Sequence, residues 1–254
     1  MNRRHLITGA AALTVPAPGA AAKPAIFELR YFRMRNGAQI QRTSDFFSKH
    51  YLPAARRVGI GTVGFFNVLI AEQSPFLLSL ASFPSISAME SAMEKMGADA
   101  EFQKGFAEYN SGEPAYMRME SSILRAFDSI PDIEVPPGDA KRKPRIFELR
   151  TYESNSSRAS KTKIKMFNDA EIKIFRRCGM LPVFFGETLI GRNLPNLTYL
   201  LAYDDLAARD RVWSAFGADP EWQKLRSTPG LTDAEIVSNI SNALLRPLPF
   251  SPIR

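Results

Sequence analysis

The sequence predicts an α+β fold built from two tandem βαββαβ modules that pack sheet to sheet into a barrel within one chain. Three observations carry this expectation. Ile26-Phe27-Glu28-Leu29-Arg30 recurs letter for letter as Ile146-Phe147-Glu148-Leu149-Arg150. Arg56-Arg57-Val58-Gly59 recurs as Arg176-Arg177-Cys178-Gly179. Gly97-Ala98-Asp99-Ala100-Glu101-Phe102-Gln103-Lys104 recurs as Gly217-Ala218-Asp219-Pro220-Glu221-Trp222-Gln223-Lys224. Every pair shares one offset (146 − 26 = 120), and a fixed period across most of a segment is the signature of a repeated structural unit.

Each element follows from local pattern. Residues 26–33 alternate and are rich in aromatic side chains, as a strand requires. Residues 39–58 carry Ile40, Phe46, Phe47, Ala54 and Ala55 at helical spacing, with Pro53 expected to kink or end the helix. Gly59-Ile60-Gly61 is a turn. Residues 63–71 and 76–83 are two strands split by Glu72-Gln73-Ser74-Pro75. Ser85 or Ser87 can cap the next helix, on which Met89, Met93 and Met96 share a face. A short helix starts at Asp99, and residues 121–127 form the last strand. This order is the ferredoxin-like unit, one antiparallel sheet covered by helices on one face. The other face is left apolar, and a second module can cover it.

The chain divides into residues 1–22, a first module over 24–130, a linker over 131–143, a second module over 144–248 and a tail over 249–254. Residues 1–22 resemble an export signal: Arg3 and Arg4 precede a short apolar stretch, and Ala20-Ala21-Ala22 offers a cleavage site. The arginine pair followed by His5-Leu6-Ile7 fits a twin-arginine signal, and an ordinary secretory signal is the alternative. Cleavage places the product in the periplasm or outside a bacterial cell. No apolar run approaches the roughly 18–20 residues of a membrane span. The formal charge of +7 falls to about +5 on cleavage (7 − 2), with basic residues scattered apart from Lys141-Arg142-Lys143 in the linker and Lys161–Lys165, expected as a solvated helix face. Without an aromatic-interleaved basic stripe, nucleic acid is not an expected partner.

Phe147-Glu148-Leu149-Arg150-Thr151-Tyr152, the Arg-Arg-x-Gly turn and above all Ala218-Asp219-Pro220-Glu221-Trp222-Gln223 resemble the NIPSNAP domain. The resemblance spans both copies, and the first departs from it with Ala100 for the proline and Phe102 for the tryptophan. It implies a dimeric α+β barrel and a role in binding or interaction, with no settled enzymatic activity. Cofactor-free monooxygenases and haem-handling proteins share that barrel, which is analogy of fold only.

The chemistry-bearing residues are few. One cysteine, Cys178, excludes an internal disulfide; it is either a small buried apolar position, as Val58 in the first copy suggests, or a reactive thiol. His50, facing Ala170 in the repeat, is the only histidine beyond residue 5, so a histidine-rich metal site is excluded. It either packs or faces solvent, or serves as a base or haem ligand. Asp219-Pro220-Glu221-Trp222 reads as a helix start: N-cap, first-turn proline, acidic residue at the positive end. Glu28 and Arg30, with Glu148 and Arg150, share a strand face opposite to Phe27, Leu29 and Tyr31. If the apolar set meets the helices, the charged set points between the sheets. It is then either a structural ion-pair network or a polar spot in a barrel cavity that holds an anionic or carbonyl-bearing ligand. Tyr31 and Tyr152 are further candidates to orient such a ligand.

No cofactor is expected. The leading expectation is a non-catalytic module that binds a small apolar or anionic molecule or a protein partner, as a monomer or a homo-oligomer of pseudo-dimeric chains. The alternatives are a cofactor-free oxidoreductase or isomerase working in the barrel lumen, and a haem-binding protein using His50.

Overall fold

The computed structural model describes residues 23–138 and 142–254. The proposed export signal, residues 1–22, and Lys141 of the basic linker run lie outside them. Module 1 runs β1 (Ile26–Arg33), α1 (Ala38–Phe46), a π-helical turn (Phe47–Tyr51), α2 (Leu52–Val58), β2 (Val63–Ile70), β3 (Phe76–Phe83), α3 (Ile86–Ala98), α4 (Ala100–Tyr109) and β4 (Arg118–Ala126). Module 2 repeats this as β5 (Ile146–Glu153), α5 (Ser157–Met166), a π-helical turn (Phe167–Glu171), α6 (Ile172–Arg177), β6 (Leu181–Ile190), β7 (Asn196–Tyr203), α7 (Leu206–Ala218) and α8 (Pro220–Arg226). It then adds α9 (Asp233–Ile236) before β8 (Asn239–Pro247). All eight strands close one antiparallel barrel in the order β1-β3-β2-β8-β5-β7-β6-β4. The modules join twice, β2 to β8 and β4 to β6, so neither sheet keeps a free edge.

Pro53 does not end its helix, which runs on to Val58. The wide turn precedes it in module 1 and recurs in module 2, where Lys173 stands at that position, so proline is not its cause.

The repeated motifs fasten the helices. Ser85 Oγ and Asp205 Oδ1 accept from Ala88 N and Ala208 N at the starts of α3 and α7. Asp99 accepts from Phe102 N at 2.8 Å, and Asp219 from Glu221 N and Trp222 N at 3.0 and 3.1 Å. The second arginine of each Arg-Arg pair clasps that cap: Arg57 reaches Asp99 at 2.8 Å and Glu101 at 3.0 Å, and Arg177 reaches Asp219 at 2.8 Å and Glu221 at 2.9 Å. Two of the three motifs shared by both copies are therefore the two halves of one clamp.

The barrel interior is filled with apolar side chains. Phe27, Leu29, Phe66 and Leu80 from module 1 meet Phe147, Leu149, Phe184 and Leu200 from module 2. Ile253 of the tail is fully buried beneath them, so close to Gly64 that a β-carbon there would lie 2.8 Å from it. Ser251 holds the tail, accepting from Phe65 N and donating to Ile253 O, each at 2.9 Å. The opposite mouth opens on a polar depression of about 670 Å³ that includes Arg33, Glu120, Arg192 and Asn242.

This packing reverses the expected facing of β1 and β5. Phe27 and Leu29 fill the lumen, and Glu28 and Arg30 look toward the helices. An eight-stranded barrel has an interior just wide enough for side chains to fill. Four charges there would lose water, whereas under the helices each finds a partner or a cavity.

Candidate functional site

The Glu-Leu-Arg strands build two sites between sheet and helices, and the copies have filled them differently. In module 2 Glu148 is fully buried. Arg150 donates to it at 2.8 Å, Arg209 of α7 donates with two nitrogens at 2.8 and 2.9 Å, and the Trp213 indole N–H follows at 3.2 Å. Burial works to raise the Glu148 carboxyl, but Arg209 and Arg150 outweigh it and hold it below the ordinary range. Arg150 turns its other nitrogens to phenols: Nε to Tyr199 at 2.8 Å and Nη2 to Tyr152 at 3.1 Å. Burial pushes Tyr199 well above its usual value, so it stays neutral. The Trp213 ring lies 4.6 Å from the Arg150 guanidinium and closes the site.

Module 1 keeps the strand pair and loses the rest. Met89 stands where Arg209 does, Met93 for Trp213, Ser79 for Tyr199, Phe83 for Tyr203 and Phe32 for Tyr152. Glu28 keeps Arg30 at 2.6 Å and the Ser121 hydroxyl at 3.2 Å. The Arg30 Nε–H is buried without an acceptor, a condition that costs about 1–3 kcal/mol. In place of the missing rings lies a cavity of about 310 Å³ walled by Phe32, Phe46, Phe83, Met93, Met96 and Phe102, among others, with Glu28 and Arg30 at its floor. Among the described residues, Glu28 and Arg30 are the only charged ones that line it.

The other candidates are scattered. Tyr31 is on the lumen face, at the polar mouth, with Arg33 4.8 Å from its ring and burial lifting its phenol to about 12. Tyr152 sits on the helix side within the module 2 network. The two tyrosines therefore occupy opposite faces and cannot orient one ligand. His50 is half-buried, stacked on Phe46 at 6.1 Å, and lies directly over Gly105 of α4. A β-carbon at Gly105 would stand 2.1 Å from His50 Nδ1. Module 2 has the reverse combination, Ala170 and Leu225, so His50 fills the space a glycine leaves. It is not among the residues lining the Glu28–Arg30 cavity. Cys178 is half-buried against the module 2 core, and burial raises its thiol.

Sequence reasoning missed one polar cluster. Lys163, expected on a solvated face, is buried and pairs with buried Glu171 at 3.1 Å and with Asp233 of α9 at 3.4 Å. Its ammonium lies 5.0 Å from the Phe167 ring and 5.5 Å from those of Tyr152 and Trp222. Lys161 and Lys165 are exposed as expected. The available signal was the repeat itself: Thr43 and Tyr51 stand at these positions in module 1, a joint replacement of both charges. Among the described residues no group of histidine, cysteine or carboxylate side chains is arranged to hold a metal, and no helix is long and apolar enough to cross a membrane.

A tandem pair of ferredoxin-like modules closed into one barrel defines the dimeric α+β barrel class. A candidate monooxygenase from Fusobacterium nucleatum subsp. nucleatum ATCC 25586 superposes with a TM-score of 0.58 at 12% identity, over 89% of this chain and 93% of its own. One from Lactobacillus acidophilus NCFM gives 0.55 at 11%, over 88% and 93%. At such identities the likeness speaks for the fold alone. An uncharacterized NIPSNAP-like domain protein from Burkholderia xenovorans is 28% identical over 42% of this chain and 89% of its own, with a TM-score of 0.38. No curated protein matches the chain. The NIPSNAP family model matches residues 27–131 and again 147–252, and the chain belongs to the NIPSNAP family.

Proposed function

We propose that this chain is a binding protein for a small, largely apolar molecule held between the sheet and the helices of module 1. One observation carries the proposal. The same frame is occupied by Tyr199, Arg209 and Trp213 in module 2 and left as a cavity of about 310 Å³ in module 1, within the size range of small-molecule sites. Cavities in a close-packed interior are otherwise few and small. Oxidation of the bound molecule without a cofactor is a weaker alternative. The candidate monooxygenases share the fold, but the one carboxylate lining this cavity, Glu28, is already engaged by Arg30. The resemblance of residues 1–22 to an export signal supports a binding step in the periplasm or outside the cell. Sequencing the N-terminus of the cell-derived protein tests that placement, and an intact Met1 defeats it.

The binding proposal is tested by native mass spectrometry of the purified protein and by titration with the apolar dye Nile red. Wild type is expected to carry an adduct or bind the dye, and Met93→Trp, which restores the ring found at Trp213, is expected to do neither. Equal dye binding by both proteins removes the cavity as the site.

A further inference from the structure

We infer that the module 1 cavity takes a neutral aromatic molecule bearing a hydroxyl or carbonyl oxygen, a phenol or an aryl ketone, whose oxygen accepts from Arg30. This rests on the cavity being a binding site and adds the class of its occupant. Arg30 and Arg150 sit at equal places in equal registers, Arg30 opposite Ser79 on β3 and Arg150 opposite Tyr199 on β7. Arg150 is complete: its Nε gives to the Tyr199 phenol, its Nη2 to the Tyr152 phenol, and the Trp213 ring covers it. Arg30 has the same strand and the same glutamate, keeps a ring without a phenol oxygen at Phe32, and has neither the Tyr199 phenol nor the Trp213 indole. A serine at position 79 is too short to bring an oxygen where the Tyr199 phenol brings one, and Phe32 brings none.

What module 1 lacks is therefore specific: flat aromatic volume, and an oxygen at the height of a phenol. The cavity supplies space for the first, and the Arg30 guanidinium that lines it supplies a donor for the second. Methionine and aromatic walls suit a flat, polarizable body, through sulfur–ring and ring–ring contact. Charge decides between a neutral oxygen and a carboxylate. Glu28 lies 2.6 Å from Arg30 and already neutralises it, so a bound carboxylate would bring an uncompensated negative charge into a partly dehydrated space. A neutral oxygen brings none, as the Tyr199 phenol of module 2 shows.

Equilibrium dialysis of the full chain with 2-naphthol, naphthalene and 2-naphthoate, read by the fluorescence of each, tests the assignment. Wild type should hold 2-naphthol about tenfold or more tighter than the other two, the worth of one hydrogen bond from a charged donor. Arg30→Lys keeps the charge beside Glu28 and removes Nε; it should bring 2-naphthol down to the level of naphthalene and leave naphthalene unchanged. Met93→Trp should abolish binding of all three. If wild type binds 2-naphthol and naphthalene equally, or 2-naphthoate most tightly, the ligand class is wrong, and loss of that binding in Met93→Trp still upholds the cavity. If wild type binds none of the three, the class and the cavity fall together.

Discussion

Replacing Arg209 by methionine, the residue module 1 carries at this place, tests whether the buried glutamate organises module 2. Glu148 is fully buried and receives two hydrogen bonds from Arg209, at 2.8 and 2.9 Å. Removing them leaves a carboxylate with Arg150 at 2.8 Å, the Trp213 indole at 3.2 Å and the Tyr203 hydroxyl at 3.4 Å. Breaking a buried pair outright costs about 3–5 kcal/mol. Arg150 stays, and a quarter of the Arg209 side chain faces solvent, so the figure falls to about 2–3 kcal/mol. For a chain of this size that lowers Tm by about 5–10 °C. The pH dependence has a definite sign. The Glu148 carboxyl is held below its ordinary value, so the stabilisation is complete above the ordinary carboxylate range and fades as pH falls through the folded-state value. The gap between wild type and Arg209→Met should accordingly narrow in acid. Thermal melts by circular dichroism from pH 7 down to pH 3 measure both effects. A melting point within 2 °C of wild type at neutral pH, or a gap that widens in acid, refutes the network account.

Other expectations follow from the divergence of the copies. Lys163→Met leaves Glu171 buried and alone and should cost about 3–5 kcal/mol in denaturant melts. Lys163→Thr with Glu171→Tyr, the pair found at Thr43 and Tyr51, should recover more than half of that loss. Gly105→Ala should bring no gain in wild type, because His50 must leave its place over the glycine. In a His50→Ala background the same change should stabilise by about 0.8–1 kcal/mol, the helix propensity difference; an equal gain in both backgrounds contradicts the packing role of His50. The Asp99 carboxyl, held down to about 2 mainly by Arg57, should titrate there by carbon NMR and move up toward the ordinary value in Arg57→Met. Since its value is lowered on folding, the cap contributes above the ordinary range and is lost as pH falls toward about 2.

The fold was legible because a repeat announces itself in letters. Ile-Phe-Glu-Leu-Arg at 26–30 and 146–150, with the alternation and caps that follow, gave the element order and the sheet-on-sheet pairing. Glu28, Arg30, Glu148 and Arg150 were recognisable as one constellation, yet the face they occupy was not. Alternation along a strand separates two sets of residues but does not say which set meets the helices. Lys163 misled for a related reason: three lysines in five residues read as a wet helix face, and the carboxylates that hold the middle one come from 8 and 70 residues away.

By itself the sequence determined the two modules, their strands and helices, and the aspartate caps, whereas the arginines that clasp those caps come from 42 residues away. Tertiary structure decided what those parts enclose. Closing eight strands fixed a lumen of one width, which Phe27, Leu29 and their twins fill up to the polar depression at one mouth. The charged faces were turned under the helices, where Arg209, Trp213 and Tyr199 complete one site and Met89, Met93 and Ser79 leave its twin open. Whether a glutamate–arginine pair is a finished network or the floor of a cavity depends on side chains up to 65 residues distant, and only the folded chain brings them together.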